Sequence, residues 1–305
     1  MSEKIYDSIF DVIEQIDCNS FILECKRYHD ATGLYRVLIP HDHYELVDLN
    51  NGKGIAIHNE LFWRYFRGEE NTFKTCQPPY FRLENDIERM VADIKAIEFE
   101  IALKKMPNVI FTLKDGMHVD FLALAQHYGI ATQYLDLTTN LAVAAFFSCF
   151  HFNDDGTIVP SNNEYGQIKV AILNYIDLFQ ETCPLQIIGL QPFMRPGRQD
   201  GVMLRMNGND DFSKISKNYI FKHNEEDTRI IQMMFSCLNG KECTDRLWLF
   251  PNEYVIQVAQ NINNRNFLST DAVKLYCTRN NKDYLTFKEL LVNNNFKICD
   301  LQMKN

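Results

Sequence analysis

The sequence predicts a single unit of mixed α and β structure, on three observations. Apolar residues that recur every three to four positions mark a helix over residues 87–105, and alternating apolar residues mark strands over 131–137 and 166–174. No internal repeat, low-complexity tract or linker divides the chain. Its 305 residues exceed the usual domain size of roughly 100–150, so length allows one domain or two, and the missing linker favours one.

Composition narrows the class of protein. The chain is 46% hydrophobic and 23% charged, which excludes disorder, collagen and coiled coil. Its net charge of −9 disfavours general nucleic-acid binding, which needs clustered positive charge. The N-terminus lacks the basic segment and apolar run of a signal peptide, and no segment is apolar enough to cross a membrane. Nine scattered cysteines without a CxxC pair indicate reduced thiols, so we expect a cytoplasmic protein with no membrane partner.

The N-terminal third contains a helix and short strands. Helical spacing of apolar residues predicts a helix over 5–16, and the segment 30–60, rich in Gly, His and Asn, reads as turns between short strands. His41 and His43 would share one face of a strand, which allows a metal pair. A solvated loop is favoured there because no third ligand lies nearby. Residues 61–68 read as a buried strand.

The middle of the chain alternates helices and strands. Asn85 and Glu88 have the spacing of a capping box for the helix that ends near Lys105. A second helix begins near Val119, and Gly129 is expected to end it in the left-handed conformation.

The strand that follows and the next helix are closely connected. Thr132, Tyr134 and Asp136 should share one face of the strand. Residues 138–140 can cap the next helix, which is apolar nearly all round and should therefore be buried.

The last third is less regular. Residues 192–204 are expected to form a loop that enters a strand at Gly201, and helices are expected within 224–239 and after Pro251. Residues 261–305 are rich in Asn and Lys but keep apolar positions, as in a small appended element.

Two segments resemble the FRG domain family. Residues 66–68 read Phe-Arg-Gly, and QHYGIATQYLDLTTNLAVAAFFSC, residues 126–149, is similar to the family's main signature. The positions that agree are Gln126, His127, Gly129, Thr132, Leu135, Asp136, Thr138, Asn140, Ala144 and Phe147. The family has proline, arginine and tryptophan where this chain has Ala131, Gln133 and Leu137.

Two later segments extend the resemblance. RPGRQDGVM resembles the family's third patch, with Arg195, Gln199 and Gly201 in register, and LWLFPNEY is similar to a later family segment. The resemblance predicts an FRG domain over residues 60–262, preceded by an N-terminal extension, 1–59, that packs on it. Residues 263–305 would be the appended element.

The order of these blocks is also similar to the ADP-ribosyltransferase pattern. That pattern has an arginine at the end of one strand, then a strand with small hydroxyl residues followed by a helix, and then a loop that supplies Glu or Gln before a third strand. The resemblance implies an α+β fold with a split antiparallel sheet and flanking helices. It also implies NAD as the substrate.

The chemistry of NAD assigns roles to these residues. An arginine fork suits a pyrophosphate, a glycine lets the backbone approach it, and a helix N-terminus favours an anion. The candidate binding residues are Arg67, Gly68, Thr138 and Arg195.

Cleavage of the nicotinamide–ribose bond builds positive charge on the ribose, as in glycoside hydrolysis. Asp136 is the candidate to face that charge, Gln199 to orient the ribose hydroxyls, and His127 to hold the ribose or act as a base.

Structural roles are the alternative for each of these residues. Arg67 could pair with Asp136 between two strands, His127 could cap its own helix, and Asp136 could accept amides of the turn that follows it. Thr138 could be an N-cap, and Gln199 could bond to sheet-edge backbone. Arg195 could be a solvated loop charge.

The leading functional hypothesis is NAD-dependent ADP-ribosyl transfer or NAD cleavage, in a toxin or phage-defence setting, with an unknown acceptor macromolecule. The alternative is a non-catalytic module that binds a nucleotide or a protein. The third block offers no glutamate, and together with Ala131, Gln133 and Leu137 this favours the alternative. A nuclease is the third hypothesis, disfavoured by the charge.

Overall fold

A computed structural model describes residues 4–33, 44–48, 53–58, 64–153, 157–172, 185–188, 191–239 and 242–300. The strands in chain order are β1 (Ile5–Tyr6), β2 (Tyr44–Asp48), β3 (Gly54–His58), β4 (Arg64–Glu69), β5 (Tyr134–Thr138), β6 (Phe150–Phe152), β7 (Ile158–Pro160), β8 (Tyr165–Ile172), β9 (Leu185–Ile187), β10 (Gly201–Arg205), β11 (Lys217–Lys222), β12 (Ser236–Asn239), β13 (Glu242–Leu247), β14 (Phe267–Ser269) and β15 (Lys297–Cys299). The helices are α1 (Ile9–Ile16), α2 (Phe21–Thr32), α3 (Asp86–Leu103), α4 (Pro107–Lys114), α5 (Phe121–His127), α6 (Leu141–Cys149), α7 (Met194–Arg198), α8 (Glu225–Met234), α9 (Tyr254–Asn264), α10 (Thr270–Arg279) and α11 (Tyr284–Asn293).

A seven-stranded sheet organises the molecule, in the order β1-β11-β8-β4-β5-β10-β9. Every described pairing in this sheet is antiparallel except the one between β1 and β11. Strands β4 and β5 pair only at Phe66 and Thr138, whereas β4 and β8 pair along six residues. The sheet is therefore split into two halves joined at one residue pair, which confirms the predicted fold class of a split sheet with flanking helices.

Helix α6 covers one face of the sheet beside the split. Asn140 caps it, because its Oδ1 accepts a hydrogen bond from the Ala142 amide at 2.9 Å. Phe146 and Phe150 pack with Phe66 and with helices α1 and α8 in the largest described core cluster. The prediction that this apolar helix is buried is confirmed.

Helix α5 packs against α3 and α9 in a second core that contains Phe99, Leu124 and Val255. Gly129 ends it with a φ of +88°. The amide of Ile130 then donates to the Ala125 carbonyl at 2.8 Å, and the Gly129 amide donates to Gln126. The predicted left-handed end of this helix is confirmed, and it leaves Gln126 and His127 in the final turn.

The structure differs from the local predictions in one helix start and in two helices that were not predicted. The helix expected from residue 5 begins at Ile9, since residues 5–6 form the edge strand β1 and the Ser8 side chain accepts the Phe10 amide as the cap. Helices α4 and α7 were not predicted, because each is short and contains a proline that reads as a turn signal. His41 and His43 lie outside the described residues.

The C-terminal element packs onto α3. Leu268, Val273 and Tyr276 bury apolar surface against Val91 and Ile94. Arg279 holds Glu100 of α3 with two hydrogen bonds of 2.8 Å, and Arg265 pairs with Glu98. The appended element is thus anchored by both apolar and charged contacts, while the domain boundaries at 60 and 262 stay a prediction.

Three absences hold for the described part of the chain. None of its helices is long and apolar enough to cross a membrane. No group of three His, Cys, Asp or Glu side chains there is placed to hold a metal ion. None of cysteines 18, 25, 76, 149, 277 and 299 forms a disulfide bond there.

Substitution of Gly68 by alanine should destabilise the fold. Gly68 lies against α6 so closely that an added Cβ would fall on the Ala144 carbonyl oxygen and 2.8 Å from the Ser148 amide nitrogen. Both are backbone atoms of a buried helix, so relief requires the helix to move, and we expect a loss of about 3 kcal/mol in denaturant unfolding. Gly208→Ala is the control, because its Cβ would lie 3.6 Å from Phe81. Equal losses in the two variants would contradict this account.

Asp93 should make stability fall as the pH rises from about 4 to 6. Burial raises the pKa of this carboxyl to about 6, against a hydrogen bond from Tyr80 that lowers it. The folded state therefore binds the proton more tightly than the unfolded state, and ionisation above pH 6 costs stability. Asp93→Asn should gain about 1 kcal/mol in urea unfolding at pH 7.5 and little at pH 4. A gain that is equal at both pH values would refute the assignment.

Candidate active site

Asp136 is the centre of the candidate site. Gln126 donates from Nε2 to Oδ2 at 3.1 Å, and Nδ1 of His127 lies 3.2 Å from Oδ1. Gln126 is itself fixed, because its Oε1 accepts both the amide and the hydroxyl of Thr132 at 3.1 Å. The Asp136 side chain is only partly enclosed by these contacts, since 36% of it is accessible to solvent.

The pair of Asp136 and His127 has a defined charge state. Burial opposes ionisation of Asp136, but hydrogen bonds from His127 and Gln126 and the charge of Arg67 lower its pKa below the ordinary value. Burial lowers the pKa of His127, so the ring is neutral at pH 7. Its proton then lies on Nδ1, because the carboxylate accepts. The result is an ionised, oriented and partly open carboxylate.

Arg67 bridges the two halves of the sheet. Its Nε donates to Glu69 at 2.9 Å and its Nη1 donates to the main-chain carbonyl of Asp136 at 2.8 Å. The pairing of Phe66 with Thr138 places the side chains of Arg67 and Asp136 on opposite faces of the sheet. The bridge between the strands is therefore a hydrogen bond to the backbone, where the alternative hypothesis had an ion pair with the Asp136 carboxylate.

A buried polar cluster surrounds Glu69. Its Oε1 accepts from Arg67 and from the Cys76 thiol at 3.2 Å, and its Oε2 accepts from Gln167 at 2.8 Å. Lys169, which is fully enclosed, lies 3.6 Å away. Burial raises the pKa of the Cys76 thiol to about 12, so it stays protonated and donates. This cluster was not predicted from the sequence, although Gln167 and Lys169 alternate with the apolar residues of the predicted strand.

Thr138 and Gln199 join two turns below the site. The Thr138 hydroxyl donates to the Gln199 carbonyl at 2.8 Å and accepts the Asn140 amide at 3.0 Å. Gln199 donates from Nε2 to the Leu249 carbonyl at 3.0 Å. Asn140 donates to Asp200, whose φ is +46°. Thr138 and Gln199 are thus both engaged in hydrogen bonds within the fold. The N-cap of α6 is Asn140, whereas the structural alternative had proposed Thr138.

Arg195 lies beside His127 with its guanidinium between two aromatic rings. The guanidinium carbon is 5.5 Å from the Tyr128 ring centroid and 5.0 Å from that of Phe250. Its Nε is shut off from solvent and has no hydrogen-bond partner. Burial lowers the pKa of Arg195, against Tyr128, Asp136 and Glu253, which raise it.

Glu253 positions this arginine through its backbone. The carboxylate accepts from the Tyr128 hydroxyl at 2.9 Å, from the Met194 amide at 2.7 Å and from the Arg195 amide at 3.3 Å. The sequence had suggested no role for Phe250 or Glu253, although both lie in the segment LWLFPNEY that resembles the family.

The structure therefore divides the predicted residues into groups. It brings together Asp136, His127 and Arg195 on the α5 side of β5. Thr138 and Gln199 form the adjoining turns. Gly68 packs against α6, and Arg67 contacts Glu69 and the main-chain carbonyl of Asp136.

The comparisons with known proteins agree with one part of this picture. Residues 64–156 match the family model of the FRG domain, so the chain carries an FRG domain over that segment. The match includes Arg67, His127 and Asp136, and ends before Arg195. Comparisons with curated proteins and with solved structures found no match.

The Glu69 cluster should tolerate loss of its lysine better than loss of its carboxylate. Glu69→Gln leaves Arg67 and Lys169 without a buried anion, so we expect a loss of about 3 kcal/mol in denaturant unfolding. Lys169→Met removes an enclosed charge with one long ion pair, while Arg67 still neutralises Glu69. Its cost should be about 1 kcal/mol or less. A larger loss for Lys169→Met than for Glu69→Gln would rule out this charge assignment.

Proposed function

We propose that the chain is an NAD-consuming enzyme that cleaves the nicotinamide–ribose bond and transfers ADP-ribose to an acceptor macromolecule or to water. The observation that carries the proposal is the state of Asp136. An ionised carboxylate, fixed by Gln126 and His127 and 36% accessible, suits a reaction in which positive charge develops on a bound sugar.

The mechanism assigned to this chain is electrostatic. As the glycosidic bond breaks, its electron pair leaves with nicotinamide and the ribose gains positive charge. Asp136 faces that charge without having to reorient, because two side chains already hold it. Neutral His127 holds the carboxylate and does not compensate its negative charge before the substrate binds.

Only some of the residues predicted to bind NAD are available to a ligand. The phosphate site expected at Arg67 and Gly68 is filled by the protein's own contacts with Glu69, Asp136 and Ala144. The proposal therefore rests on Asp136 and its neighbours. We also propose a cytoplasmic setting, as a toxin or phage-defence component, because NAD and its acceptors are available there.

A second candidate function is nucleotide binding without turnover. It is favoured by the internal hydrogen bonds of Thr138 and Gln199, which leave one carboxylate as the catalytic group. NAD that raises the melting temperature without being consumed would support this second function, because a ligand stabilises the state it binds.

Nicotinamide release from labelled NAD tests the leading proposal, with and without a cell extract as the source of acceptors. Asp136→Asn keeps the shape of the side chain and removes its charge, so we expect release to fall about 100-fold or more. Asp93→Asn is the matched control, since Asp93 is a partly buried carboxylate that accepts from Tyr80 and takes no part in the hydrogen bonds of Asp136. No release by the unmodified protein, or equal release by both variants, would end the proposal.

A further inference from the structure

Arg195 has no counter-ion in direct contact within the described part of the chain. No hydrogen bond or ion pair of its guanidinium is present among the described residues, and its Nε is enclosed. The two acids that influence its pKa do not pair with it. Glu253 is occupied by the Tyr128 hydroxyl and two backbone amides, and Asp136 by Gln126 and His127.

An arginine in this position is unfavourable unless something else binds it. Removing a guanidinium from water costs free energy that a partner anion normally offsets. The rings of Tyr128 and Phe250 stabilise the cation, but they provide no hydrogen-bond acceptor in the plane of the guanidinium. Its donors therefore have no partner among the described residues, and a bound anion would provide one.

Arg67 provides the contrast. Its Nε and Nη1 are both engaged, by Glu69 and by the Asp136 carbonyl, and it lies on the other face of the sheet from the Asp136 side chain. Of the two arginines expected to bind a phosphate, only Arg195 combines free donors with a place beside His127 and Asp136.

We propose that Arg195 is the anion subsite of this site and takes a phosphate group of a nucleoside diphosphate. The choice of a nucleotide rests on the proposed function, whereas the binding of an oxyanion rests on Arg195 alone. The contacts with the two rings, and the hydrogen bonds that the Met194 and Arg195 amides donate to Glu253, hold the guanidinium in one orientation before the ligand arrives. Such preorganisation suits bidentate recognition of a phosphate.

The test measures binding of ADP, inorganic pyrophosphate and adenosine by calorimetry. The variants are Arg195→Gln, Arg195→Lys and Arg198→Gln. Arg198 is the matched control, because it belongs to the same short helix, stacks on Trp248 and donates to the Trp248 carbonyl. Thermal unfolding without ligand shows whether each variant is folded.

The expected result is binding of ADP and pyrophosphate by the unmodified protein, with Arg195→Gln weakening both at least tenfold, which is about 1.4 kcal/mol. Arg195→Lys keeps the charge but loses the planar fork, so it should weaken binding less. Arg198→Gln should bind within about twofold of the unmodified protein. If Arg195→Gln does not fold, the affinity of Arg195→Lys is compared with that of Arg198→Gln instead. A loss of affinity in Arg195→Lys that Arg198→Gln does not show supports the proposal.

Two results would overturn the inference. One is an unmodified protein that binds neither ADP nor pyrophosphate. The other is a folded Arg195→Gln variant, or Arg195→Lys where that variant decides, with unchanged affinity for both. Adenosine binding as tight as ADP binding would also count against it. These outcomes are independent of nicotinamide release, so the subsite can fail while Asp136 still supports cleavage, or hold while cleavage is absent.

Discussion

The single pairing of Phe66 with Thr138 is the constraint on which the site depends. Beyond that pair, β4 continues beside β8 and β5 continues beside β10, so the two halves of the sheet separate. A backbone carbonyl freed in this way needs another partner if it is buried. The Nη1 of Arg67 supplies that partner for Asp136, and the strand that carries the catalytic candidate is thereby held at the point where the ladder ends.

Each letter of the Phe-Arg-Gly motif has a physical role at this point. Phe66 packs into the core under α6 and pairs with Thr138. Arg67 bridges the split, and Gly68 leaves room for the backbone of α6. The motif and the longer signature around Asp136 are therefore two sides of one structural unit. The match of the FRG family model over 64–156 spans both.

Local signals in the sequence predicted the parts of the fold that local contacts determine. The cap at Asn140, the end of α5 at Gly129 and the buried character of α6 depend on residues within one or two turns, and each is confirmed. Residues 5–6 became a strand because β11, more than 200 positions away, offers an edge for pairing. No local pattern carries that information.

In the site, too, contacts between residues close in sequence were predicted and contacts between distant residues were not. The family resemblance pointed to His127 and Asp136, and their hydrogen bond spans only nine positions. Glu69 with Lys169, and Glu253 with Tyr128, are partners separated by 100 or more positions. Their sequence signal was a polar residue on an apolar strand or helix, which identifies a buried group that needs a partner but not which partner it finds.

The two arginines that were predicted to bind phosphate differ in whether they pair with a carboxylate. In a chain of net charge −9, most arginines can find a carboxylate, and Arg67 does so two positions away on its own strand face. Arg195 lies near two carboxylates, but each accepts hydrogen bonds from other donors, and neither forms an ion pair with its guanidinium in the described part of the chain. Asp136 is thus a partly exposed anion, and Arg195 is a cation whose Nε has no hydrogen-bond partner among the described residues. In the function we propose, the phosphates of the ligand contact Arg195 and its developing positive charge faces Asp136.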